Sequence, residues 1–182
     1  MFKKNKQEIN IQYANILDGI IQVSEANGEK SFSTSLSFGD KATGINGKNQ
    51  FSIKGDIDHL IANEWFDLIP ITSNGREVRI KDKAISLDIH VGSLEFIHQN
   101  FSDVNLQLGN VDSGYHLNVN AEDISGDIFF DHLLGDNPIT IKLQKLSLVK
   151  NTSEIEEGRH DISPGSIPPL NIKISELIYG DI

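Results

Sequence analysis

The sequence predicts a mainly β protein: an antiparallel, bulged and twisted sheet forming an open apolar groove, with one short amphipathic helix near residues 58–69. Three observations carry this. Runs of strict apolar/polar alternation, the two-residue period of a strand, recur along most of the chain. Turn and loop signals separate them. One hydrophobic rhythm also occurs three times, with apolar residues at offsets 0, 2, 4, 7 and 9: Leu87, Ile89, Val91, Leu94, Phe96; Ile139, Ile141, Leu143, Leu146, Leu148; and Leu170, Ile172, Ile174, Leu177, Tyr179. The step of three places Gly92-Ser93, Gln144-Lys145 and Ser175-Glu176 on the opposite face. A β-bulge does this, because one inserted residue leaves the side chains beyond it on their original side.

The elements follow in order. Ile9 to Tyr13 alternates cleanly, and Ile16 to Val23 continues as β-like sequence past Asp18-Gly19. Phe32, Leu36 and Phe38 share one face of the next strand, with Ser33, Ser35 and Ser37 opposite. Gly39 to Gln50 carries three glycines and reads as a loop. Phe51, Ile53, Gly55 and Ile57 form a further strand. The helix is expected next: Asp58 as N-cap, an apolar stripe of Ile61, Trp65, Leu68 and Ile69, and Pro70 to end it. Trp65 reads as its anchor on the sheet.

From Ile85 onward the pattern is β throughout. Phe101, Val104, Leu106 and Leu108 lead to a turn at Asp112-Ser113-Gly114, and Tyr115, Leu117, Val119 and Ala121 return. Ile124, Gly126, Ile128 and Phe130 continue. Asn118, Asn120, Lys142 and Ser147 sit opposite the apolar set, giving strands with one dry and one wet face, an antiparallel signature. Residues 151–165 are polar and read as a linker, after which Pro168 and Pro169 stiffen the approach to the last strand.

Each bulged strand presents five large apolar side chains on one face. At about 1.5–3 kcal/mol apiece, leaving one such face in water forfeits roughly 7–15 kcal/mol, as much as a whole domain's stability. The face must be covered. A second sheet would do it, as would a sheet curled around something apolar; periodicity does not separate the two, and bulges favour curling.

Composition narrows the functional classes. A net charge of -10 argues against nucleic acid. Without cysteine, disulfide frameworks and thiolate metal sites are excluded. No stretch reaches the roughly 18–20 apolar residues that span a bilayer, and the basic start Met1 to Lys6 has no apolar run behind it. The six histidines, His59, His90, His98, His116, His132 and His160, are scattered with no HExxH, and His90 and His116 fall on the polar phase. Asp127 and Asp131 read as solvated carboxylates on the wet face. GxSxG, P-loop and GxGxxG patterns are absent. No enzyme and no cofactor is expected.

The order of these signals resembles the YhdP branch of the AsmA-like proteins. The resemblance rests on Asp58 to Trp65 following an alternating strand, and on Phe101 to Leu108 followed by Tyr115 to Val119 and Ile124 to Ile128. It is closest at Ile167-Pro168-Pro169-Leu170-Asn171-Ile172-Lys173-Ile174, leading to Leu177 to Ile182. It implies that residues 1–182 are one segment of a longer β-groove. The parent would be anchored in the inner membrane through a part not in this chain, would cross the periplasm, and would move phospholipid toward the outer membrane. Acyl chains would lie against the three bulged strands and against Leu106, Leu108, Leu117, Val119, Ile128 and Phe130. A ligand-free structural or adhesive β-module is the alternative.

Overall fold

The computed structural model describes residues 5–26, 29–39, 44, 45, 47, 49–62, 84–96, 98–131, 137–149 and 169–180. These form ten strands: β1 Asn5–Tyr13, β2 Leu17–Ala26, β3 Glu29–Phe38, β4 Gln50–Ile61, β5 Ala84–Phe96, β6 Gln99–Val111, β7 Gly114–Asn120, β8 Ile124–Asp131, β9 Ile139–Val149 and β10 Leu170–Gly180. They make one open, twisted sheet whose strand order is the chain order, so β1 and β10 are its edges.

Six of the nine ladders are antiparallel. The other three, β3–β4, β4–β5 and β9–β10, are parallel. They are the pairs with the longest connections, residues 39–49, 62–83 and 150–169. A parallel neighbour requires such a crossover, because the chain must return to the starting end of the sheet.

The helix expected from Asp58 is corrected at its start. Asp58, His59, Leu60 and Ile61 belong to β4, and the last three pair with Ser93, Leu94 and Glu95 of β5. Ile53, Gly55, Ile57 and Leu60 repeat the first four offsets of the rhythm, 0, 2, 4 and 7, and Ile53, Ile57 and Leu60 lie in register with Leu87, Val91 and Leu94. β4 is thus a fourth copy. Residues 63–69 of the expected helix, Trp65 among them, lie outside the described residues, as does the 151–165 linker.

The steps of three line up across the sheet as a crease. Asp58-His59 of β4 lies beside Gly92-Ser93 of β5, which faces Ser102-Asp103 of β6. Both strands step together, so their ladders keep one register. Asp103 reaches φ 53° to do so, a left-handed conformation that Asp tolerates better than most residues. On the far side, Gln144-Lys145 of β9 lies beside Ser175-Glu176 of β10. Against β8 there is no matching step: Ser125 pairs with Lys145 and Gly126 with Leu143. Gln144 is therefore the inserted residue of a β-bulge, as the rhythm predicts.

The β7–β8 hairpin is short and ends at the level of the crease. Below it β9 reaches back toward β6: the Ser147 amide donates to Asp123 O at 2.7 Å, and the Gln99 side chain donates to Val149 O at 3.2 Å while accepting from Val149 N at 2.9 Å. One side chain spans strands that are three places apart in the sheet order.

The core lies on the crease-spanning face of β4–β7. It contains Ile53, Leu60, Ile89, Leu94, Phe101, Leu106 and Val119 around Val91 and Val104, the last two with no solvent exposure. One part of the opposite face is also buried. Ser33, Ser35 and Ser37 of β3 are covered, and Ser33 Oγ donates to Gly47 O at 3.0 Å and accepts from the Gln50 amide at 3.2 Å. The connection carrying Gly47 thus meets β3 from its serine side.

Candidate functional site

Residues directly paired across a ladder share a sheet face, so the ladders decide where each candidate residue stands. Leu87 and Ile89 of β5 pair with Leu108 and Leu106 of β6, which pair with Leu117 and Val119 of β7. Leu117 pairs with Ile128 and Tyr115 with Phe130 on β8. Ile128 continues to Ile141 on β9. Ile139, Ile141, Leu143, Leu146 and Leu148 then run beside Leu170, Ile172, Ile174, Leu177 and Tyr179 of β10, copy matched to copy. Val91 completes the β5 set before the crease, and Leu94 and Phe96 continue it beyond. Every lining residue expected from the sequence therefore stands on one face.

That face extends further than the residues expected to line it. Leu36 pairs with Ile53, Phe38 with Gly55, and Leu17 and Val23 with Phe38 and Phe32. Ile9 pairs with Ile21 and Tyr13 with Leu17 on β1–β2. The signal for this extension is the same alternation; what the sequence alone does not supply is the register that joins β1–β4 to the rest.

Burial along the face is graded. It is deepest at β4–β7 and falls away toward β10, where Ile172, Leu177 and Tyr179 are 53%, 58% and 67% exposed. At the other edge Ile9 and Tyr13 are also exposed. Two glycines on this face sit where a β-carbon would strike main chain. Gly55 at φ 114° faces the Phe38 carbonyl so closely that a β-carbon would collide with it, and Gly126, opposite the β9 bulge, would meet the Lys142 carbonyl.

The polar face carries one compact network. Asp127 Oδ1 lies 2.7 Å from His116 Nε2 and accepts from Asn118 Nδ2 at 3.0 Å, while Oδ2 accepts from Gln144 at 3.4 Å. Hydrogen bonds from Asn118 and His116 hold the Asp127 carboxyl below the usual carboxylate range, against the opposing effect of its burial, with a further contribution from Gln144. The His116 ring stacks on Phe129 at 4.6 Å, and Lys142 Nζ lies 5.4 Å from that ring's centre. Asp127 is thus a bonded hub that ties β7, β8 and β9 together, where the sequence suggested a solvated carboxylate. His90 lies 3.6 Å from Asp56 and 3.8 Å from Asp103, all on the wet side. Among the described residues no group of three or more His, Asp or Glu is placed to hold a metal ion, and no helix is long and apolar enough to cross a membrane.

An open sheet of ten strands with one continuous apolar face, creased where the steps of three line up, defines a class of proteins that present a long dry surface. The chain belongs to the YhdP family: the family model described as YhdP protein matches residues 1–182, the whole chain. No curated protein matches it, and no solved structure does.

Proposed function

We propose that this chain is a segment of an AsmA-like lipid-transport protein of the cell envelope, and that its apolar face forms a groove holding phospholipid acyl chains. The observation that carries the reading is the unbroken apolar register from β1 to β10, together with membership of the YhdP family. Acyl chains complete such a face at no polar cost, while head groups stay at the wet rim; a conduit needs breadth and continuity and no reacting groups. The parent spans the periplasm from an inner-membrane anchor. Phospholipid is the partner, and no catalytic step is assigned.

A second reading is a ligand-free structural module, and one observation favours it: Val91 and Val104 are fully covered by the protein itself. Mass spectrometry of organic extracts from gently purified protein separates the two. The conduit predicts phospholipid near stoichiometric amounts; a clean extract from stably folded protein supports the module.

A further inference from the structure

The interior of the sheet has a seam below the crease. The β6–β7 ladder stops at Asn105 with Asn120, and the β8–β9 ladder stops at Ile124 with Leu146. Gln99 to Val104 of β6 and Ser147 to Val149 of β9 run on past the hairpin, and among the described residues no strand lies between them. The β1–β6 and β7–β10 parts of the sheet are thus joined by a ladder above the crease and by side chains below it.

Gln99 imitates a strand at this seam. Its side-chain amide accepts from Val149 N at 2.9 Å and donates to Val149 O at 3.2 Å, the two bonds that a neighbouring strand would supply. Gln99 pairs with Phe96 and so stands on the apolar face. There Leu146 and Leu148 of β9 pack against the core of β4–β7. Asn100 and Val149, both exposed, fall on the opposite phase. The seam therefore separates a dry side from a wet one.

The two kinds of joint differ in strength. A ladder gives up a run of bonds together, whereas the bridge consists of two neutral bonds at an exposed position, which water replaces on opening. The core contact of Leu148 is one that an acyl chain can take over, hydrocarbon for hydrocarbon. Opening is disfavoured in the empty protein and costs little with a lipid chain at hand.

We propose that the seam between β6 and β9 is a side entrance to the apolar face, latched by Gln99, through which a phospholipid acyl chain passes. The head group stays outside beside Asn100 and Ser147, so no polar group crosses the dry face. This inference rests on the lipid reading.

Two measurements on the full chain test it, with circular dichroism to establish folding. The first needs no lipid. Hydrogen exchange at the Ser147 amide, which donates to Asp123 O and not to Gln99, should speed up about tenfold in Gln99→Ala. Exchange at Val91, inside the β5–β6 ladder, should not change. An unaltered Ser147 amide would overturn the latch. The second follows the rate and extent of loading with pyrene-labelled phospholipid from phosphatidylethanolamine–phosphatidylglycerol vesicles. Gln99→Ala should load faster, and so should Gln99→Glu, whose carboxylate cannot donate to Val149 O. The chain has no cysteine, so Gln99→Cys with Val149→Cys can be closed by a short bifunctional maleimide. Closure should slow loading about tenfold against the same variant left open. Equal rates in the closed and open forms, with full loading, would overturn the entrance and leave the lipid reading standing. No lipid in any form would overturn both.

Discussion

Gly55 shows how much of this sheet depends on a single missing side chain. It takes a conformation that disfavours other residues, and the Phe38 carbonyl occupies the place of its absent β-carbon. Gly55→Ala combines backbone strain with a clash against main chain that cannot move without breaking the β3–β4 ladder. It should cost about 2–4 kcal/mol in a urea unfolding series. Asp127 is a second residue whose environment decides its role. A carboxyl held below its unfolded value contributes stability that is present above the unfolded pKa, about 3.9, and lost as pH falls through the lower folded value. Asp127→Asn should therefore be less stable than the parent chain at neutral pH, and the gap should close below about pH 4. Thermal unfolding across pH 2–7 measures it, and a gap independent of pH would show that the network is not charge-dependent.

At the scale of the element, the unit is a strand with one extra residue. β9 and β10 must step together, because their parallel ladder runs through the crease without a shift. Deleting Gln144 alone should therefore lower the melting temperature markedly, since it moves the mismatch from the β8 side of β9 to the β10 side. Deleting Ser175 as well should recover much of the loss. Equal melting temperatures for the single and double deletions would mean that the two steps are independent. The three rhythms of β5, β9 and β10 were legible in the sequence because their polar pairs stand between long, clean alternations. The same step hid β4. Ile57, Leu60 and Ile61 are spaced by three and one, so a bulged strand imitates the first turn of an amphipathic helix. Parallel pairing was not legible at all, because alternation shows which face is dry and carries no information about strand direction. The Asp127 hub was missed for a related reason: His116, Asn118, Asp127 and Gln144 lie on three strands, and only register brings them together.

At the scale of the molecule, ten strands in chain order produce a surface instead of a sealed core. On the apolar face, among the described residues, burial is complete only at Val91 and Val104, and it is lost toward β10. The short β7–β8 hairpin leaves room for the Gln99 bridge to Val149, which ties β6 to β9 beyond the hairpin's end. On the proposed reading this surface is the path of the lipid chain, and the steps of three keep it apolar through the crease. The most direct test places a photo-crosslinking residue at single positions of β9 in the folded protein with phospholipid present. Probes at Ile139, Ile141, Leu143, Leu146 and Leu148 should capture phospholipid, and probes at Lys142, Gln144, Lys145 and Ser147 should not. Leu146 and Lys145 decide the matter, because the bulge alone determines which of them faces the apolar side. Capture at Lys145 but not at Leu146, or at no apolar-face position, would contradict the account.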